Sequence, residues 1–231
     1  MTVEIMKRPS NTAAKVSLGS SEQFTSEGGA MIAMSGDMNV ETSVNRKQGR
    51  MGRKLMRGFS RKLAQEGFFL NTCTAGSNGG NVYLATPLPG DMQVLELHGS
   101  KRIKVQASSF VAHEASVTMG ISWEGFKNVF SGENLIWLDM SGSGKVLINA
   151  FGMIYPVEVD GEYIVDTGNI AAFEDSLTYN ISKAGKSWFS SFLGGEGLVA
   201  RFSGRGTVWC QTHADRAFGE RLTPHLRPKK K

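Results

Sequence analysis

The chain has 231 residues, 40% hydrophobic and 20% charged, with a formal net charge of +5. That length and balance describe a globular protein able to bury a sizeable core, and exclude a disordered or collagen-like chain. No apolar run reaches the ~20 residues that a membrane-spanning helix needs. Twenty-eight glycines against six prolines suggest a β-rich chain with many tight turns. The N-terminus "MTVEIMKRPS" has neither the continuous apolar stretch of a secretory signal nor the Arg-rich amphipathic pattern of a mitochondrial presequence, so a cytoplasmic protein is expected. The two cysteines, Cys73 and Cys210, lie far apart and are expected to be buried free thiols. The positive charge is local. It concentrates in Arg46–Lys62, with eight cations and no acid, and in the tail "RLTPHLRPKKK", while the remainder is net acidic.

In chain order, a first strand-rich block reads "MIAMSGDMNVET" (Met31–Thr42) and resumes as "EGFFLNTCTAGSNGGNVYL" (Glu66–Leu84). Next, "PLPGD" places Pro89 and Gly90 where a type II turn wants them. "FVAHEASVTMGIS" (Phe110–Ser122), "NLIWLDM" and "KVLINAF" then read as short strands bounded by glycine. In "VEVDGEYIV", Asp160-Gly161 between two strand-like runs is a hairpin signal. "IAAFEDSLTYNIS" (Ile170–Ser182) repeats the Phe110 segment at constant offset. "GGEGLVARFSGRGTVWCQT" (Gly194–Thr212) repeats "SGENLIWLDMSGSGKVLIN" (Ser131–Asn149) with a one-residue adjustment placed after Leu135-Ile136 and Leu198-Val199.

Self-similarity at this period signals repeated supersecondary units. The expectation is an all-β fold of three internal repeats of an antiparallel β unit, at about 20–90, 91–152 and 153–213, closing as a barrel or sandwich around a shared core. Residues 1–19 read as an N-terminal extension, 20–213 as one domain with a basic insert at 46–65, and 214–231 as a basic tail. The repeat also disposes of a phosphate-loop reading of "SGSGK". Its partner "SGRGT" lacks the Lys, and Asp139 and Val146 occupy positions that need Gly and Ser or Thr. A β-turn accounts for both copies.

The segments "GAMIAMSGDMNVET", "FFLNTCTAGSNGGNVYLATPLPGD", "IAAFEDSLTYNI" and "FLGGEGLVARFSGRGTVWCQT" resemble the mitochondrial biogenesis family, whose founder was named for altered inheritance of mitochondria. The resemblance covers about Ser20–Thr212 and suggests a bacterial-type member. It implies a fold like the tryptophan RNA-binding attenuation protein. For the fungal members it implies association with the mitochondrial inner membrane, and it supplies no catalytic residues.

Each repeat carries an insert before its Gly-Glu strand: Arg46–Gln65, Trp123–Gly132 and Lys183–Gly195. In the first, Met51, Leu55, Met56 and Phe59 recur near helical spacing among Arg46, Lys47, Arg50, Arg53, Lys54, Arg57, Arg61 and Lys62, which predicts a short basic amphipathic helix. The other two carry Phe126, Val129, Phe130, Trp188, Phe189, Phe192 and Leu193. Apolar side chains with a cationic collar suit an anionic membrane surface. They suit equally a lid over the core, or the contact of a homo-oligomer.

For catalysis, the histidines lack metal-ligand spacing, and the carboxylates at matching repeat positions (Glu114 with Glu174; Glu66, Glu133 and Glu196) show no divergent copy. Symmetric carboxylates are expected to hold turns or sheets. The reading is therefore a non-enzymatic β scaffold without cofactor, homo-oligomeric, associated peripherally with the inner face of a membrane or with partner proteins. RNA or another polyanion on the basic insert is the alternative. A symmetric metal site or an enzyme is the lesser one.

Overall fold

The computed structural model describes residues 1–43, 69–122, 136–183 and 198–226. Short runs of β-formers alternate inward and outward, as in Ala13–Leu18, where every second side chain is buried. The result is all-β and antiparallel, with seventeen strands among the described residues. β1 (Thr2–Met6) pairs along β2 (Ala13–Leu18). Then come β3 (Gln23–Glu27), β4 (Met31–Met34), β5 (Met38–Ser43), β6 (Leu70–Ala75) and β7 (Gly80–Leu84). A second series follows: β8 (Met92–Leu97), β9 (Ile103–Gln106), β10 (Phe110–Glu114), β11 (Val117–Ser122), β12 (Trp137–Gly142) and β13 (Gly144–Asn149). A third holds β14 (Ile154–Asp166), β15 (Ile170–Glu174), β16 (Thr178–Lys183) and β17 (Leu198–Gln211), and the helix α1 (Asp215–Leu222) follows, with a 3-10 turn at Thr223–His225 after it.

One pairing scheme recurs in the three series. In the first, β2 and β4 flank β7, while β3 and β5 flank β6. In the second, β8 and β10 flank β13, while β9 and β11 flank β12. In the third, β14 and β15 flank the C-terminal half of β17, while β14 and β16 flank its N-terminal half. Even the irregularities recur. The ladder slips between Met31 and Ala33, between Phe110 and Ala112, and between Ile170 and Ala172. A bulge kept at the same rung bends each strand alike. The registers align Trp137 with Val199, because Ser122 faces the first and Ser182 the second. The one-residue offset between copies therefore falls before Ile136, earlier than the sequence placed it.

The first series begins at Ala13, so Thr2–Leu18 is woven into the sheets rather than standing ahead of them. A bidentate pair anchors this region: the Arg8 guanidinium donates to both oxygens of the fully buried Asp91 carboxylate at 2.8 and 2.7 Å.

Three turn assignments change. Asp160-Gly161 makes no hairpin. β14 runs straight through both residues and pairs β17 on thirteen consecutive rungs, Gly161 facing Gly204. Both glycines have positive φ, 106° and 115°, so the two strands kink together without losing their pairing. "SGRGT" accordingly lies inside β17, while its partner "SGSGK" spans the break at Ser143 between β12 and β13. Gly90 forms a parallel bridge to Gly152 and is not among the positive-φ glycines. It must be glycine because a Cβ there would overlap the Ala150 carbonyl oxygen.

The core falls into three clusters, one centred on each series, and each is extended by residues of a neighbouring series, as Trp137 of the second series joins the third cluster. Val111 and Leu147 from the second series join Phe24 and Val82. Ala172 and Trp209 from the third join Ile103 and Leu138. Cys73 and Cys210 are both buried and free, and burial pushes the Cys210 thiol up to about 11.

Candidate functional site

The repeats join by two strand junctions. β3 pairs β10, with Ala112 facing Ser26, His113 facing Thr25 and Glu114 facing Phe24. β9 pairs β15, with Ala172 facing Val105, Phe173 facing Lys104 and Glu174 facing Ile103. At the second junction the Lys104 ammonium donates to Asp139 Oδ1 at 3.0 Å and lies 3.1 Å from Asp175 Oδ1. Lys101 adds a 2.6 Å pair to Glu174. Threonines occupy the equivalent rung at the first junction, Thr25 opposite Thr72, and Ala115 replaces Asp175. With threonines in place of Lys104 and Asp139, this place is a cleft of about 500 Å³.

Thr25, Thr72, Thr74, Glu41, His113 and Met119 are among its walls. Alternation along β3, β5 and β6 brings their outward hydroxyls to one face. His113 is the distinctive group, since Met34 and Phe173 hold its position in the other copies. Its Nδ1–H donates to the Glu114 carbonyl at 2.8 Å, and burial pushes the imidazole below its ordinary pKa. The ring is thus neutral near pH 7, with Nε2 as its acceptor nitrogen. In the sequence His113 shows only a lack of metal-ligand spacing, which does not set it apart from the other histidines. Aligning Met34, His113 and Phe173 was the signal available.

The repeated carboxylates Glu114 and Glu174 have a structural task. Each β10–β13-type ladder stops at one rung, and a side chain takes over the next. Lys145 N–H donates to Glu114 Oε2 at 2.7 Å, and Thr207 N–H to Glu174 Oε2 at 3.3 Å. In the first series Asn81 N–H donates to Ser35 Oγ at 3.0 Å. The preceding residue is glycine in all three copies. A Cβ on Gly80, Gly144 or Gly206 would lie 2.7, 2.7 or 3.0 Å from that oxygen.

All predicted membrane, polyanion and apolar-patch residues lie outside the described residues. These are Arg46, Lys47, Arg50, Met51, Arg53, Lys54, Leu55, Met56, Arg57, Phe59, Arg61 and Lys62 in the first insert; Phe126, Val129 and Phe130 in the second; and Trp188, Phe189, Phe192 and Leu193 in the third. The predicted amphipathic helix and Glu66, Glu133 and Glu196 also fall there. What is described is the root of each insert: Ser43 facing Leu70, Ser122 facing Trp137, and Lys183 facing Leu198. The three roots are the same place in the scheme, the connecting end of the pairs β5–β6, β11–β12 and β16–β17. Among the described residues, no group of three or more His, Cys, Asp or Glu could hold a metal ion, and no helix is long and apolar enough to cross a membrane.

Recurrent pairings, shared bulges and equivalent side-chain locks define a class of antiparallel β protein built on one repeated scheme. The chain belongs to a family described as Mitochondrial biogenesis AIM24, which it matches over residues 3–213. Its fold is similar to the crystal structure of protein SPYM3_0169 from Streptococcus pyogenes, with a TM-score of 0.79 at 23% identity, over 97% of this chain and 99% of that one. No curated protein matches it.

Proposed function

We propose that this chain is a non-catalytic β scaffold that docks on an anionic membrane surface through its three inserts. One observation carries the reading: the inserts share a root on a repeated framework, and the first bears eight cations without an acid between Arg46 and Lys62. A framework that roots three inserts at equivalent positions suits multivalent contact with an extended surface. The use of Glu114 and Glu174 as ladder ends supports a structural role for the repeated carboxylates. Membership of a mitochondrial biogenesis family fits a scaffold at a membrane, and for this chain we place it at the cytoplasmic face.

The test is flotation of purified protein with phosphatidylcholine vesicles, with and without phosphatidylserine, at low salt. The charge-removed variant Arg50→Gln, Arg53→Gln, Lys54→Gln, Arg57→Gln accompanies it. At about 1 kcal/mol per cation near an anionic surface, the four changes weaken binding by about a thousandfold. Equal binding to neutral vesicles, or no binding at low salt, refutes the reading. Filter retention of single-stranded RNA that depends on the same four cations would replace the membrane by a polyanion.

A further inference from the structure

Each repeat offers two strand edges for joining its neighbours. β3 and β9 use theirs to pair β10 and β15 of the following repeat. The same scheme leaves two edges over, one of each kind. β4 is the equivalent of β10 and β15, and among the described residues it pairs β7 alone. The second half of β14 is the equivalent of β3 and β9, and among the described residues it pairs β17 alone.

These two edges carry apolar side chains where the made junctions bury them. Ile32 is 59% exposed, while Val111 and Ala171 at its position are fully buried. Met34 is 43% exposed, against 8% for His113 and 0% for Phe173. On the other edge Tyr163 is 46% exposed, against 0% for Phe24 and 1% for Ile103. Ile164 is 50% exposed at the place where Lys104 is buried. The rung that tolerates only close approach is alanine in all three copies, Ala33, Ala112 and Ala172. The free edge of β14 is also guarded unevenly. Pro156 removes a donor from its first half, while Glu162–Asp166 keeps all its backbone N–H groups.

We infer that these two edges join between copies: β4 of one chain pairs the second half of β14 of another, repeating the internal junction. The occupant is a second copy because each edge is shaped for the other and no neighbouring repeat remains to fill it. The register follows from the two made junctions: Ala33 faces Val165, Met34 faces Ile164 and Ser35 faces Tyr163. The interface is heterologous, head to tail, and so builds a ring or an open row rather than a symmetric pair. This inference goes beyond the membrane reading and does not depend on the inserts.

The experiment is cysteine cross-linking of the full chain under mild oxidation, read on non-reducing gels, with circular dichroism as a fold check. Met34→Cys and Ile164→Cys are exposed positions predicted to face one another, at a Cα separation that a disulfide can span. A mixture of the two single variants is expected to form a cross-linked species of twice the chain mass, and neither variant alone forms it. The double variant is expected to give a ladder of multimers. Met34→Lys in the wild-type background, which puts a charge where the made junctions bury His113 and Phe173, should reduce the assembly to monomer by light scattering. Self-linking of either single variant would show symmetric pairing and overturn the proposal. An internally linked monomer from the double variant would show closure within one chain and overturn it as well. So would the absence of any cross-link. None of these outcomes alters the vesicle assay, so the two proposals fail separately.

Discussion

Glu114 offers a direct measure of what the repeated carboxylates do. The β10–β13 ladder ends with His113 facing Val146. The next N–H, that of Lys145, is taken by Glu114 Oε2 at 2.7 Å. Glu114→Ala leaves that half-buried donor without its charged acceptor. Hydrogen bonds to charged groups contribute about 1.5–3 kcal/mol, and partial exposure puts this one near about 2 kcal/mol. In a chain of this size that is a fall in Tm of about 4–8 °C. Glu114→Gln keeps an oxygen at the same reach and should cost about half as much. Ser35→Ala, which removes a neutral acceptor 3.0 Å from Asn81 N, should cost about 1 kcal/mol or less. Gly144 supplies a second check, because a Cβ there meets the same oxygen at 2.7 Å. Gly144→Ala should therefore hurt less in the Glu114→Ala background than in the wild type, with a coupling of about 1 kcal/mol. Urea unfolding and calorimetry on the four proteins of this cycle decide the matter. If Glu114→Ala leaves the urea midpoint unchanged, or Glu114→Gln costs as much as Glu114→Ala, the carboxylate is not a ladder end. Vesicle binding lost in a Glu114→Gln protein of wild-type stability would give the group a functional role instead.

Other expectations follow from the same geometry. Burial holds His113 neutral with a lowered pKa, so the unfolded chain protonates first as pH falls below about 6.5 and stability is lost from there down through the folded value; His113→Phe, which copies Phe173, should flatten that slope in urea titrations between pH 7.5 and 5. Glu27 behaves in the opposite sense. Burial lifts its carboxyl from 4.5 to about 7, so stability is lost as pH rises through that window, by at most about 3 kcal/mol, and Glu27→Gln should abolish the loss. Trp137 lies edge-on to Phe173 at a centroid distance of 5.0 Å and ties the second series to the core of the third. Trp137→Ala should lower unfolding free energy by about 3–5 kcal/mol, and a loss below about 1 kcal/mol would contradict the packing described.

The sequence by itself carried the β class, the recurrence of one unit, the burial of Cys73 and Cys210, and the structural use of Glu114 and Glu174. These are local properties: alternation, glycine position and the match between copies are written residue by residue. Tertiary structure decided which strands pair. Asp160-Gly161 has the chemistry of a hairpin turn, yet β17 offers a partner to both flanking runs, and thirteen rungs with it outweigh a short hairpin. Thr2–Leu18 looks like an extension until β7 supplies its ladder. Likewise the cleft at Thr25 and Thr72, the neutral state of His113 and the unjoined edges at Met34 and Ile164 exist only once repeats are set side by side. Burial and edge pairing depend on what lies across the strand, and no periodicity along the chain records that.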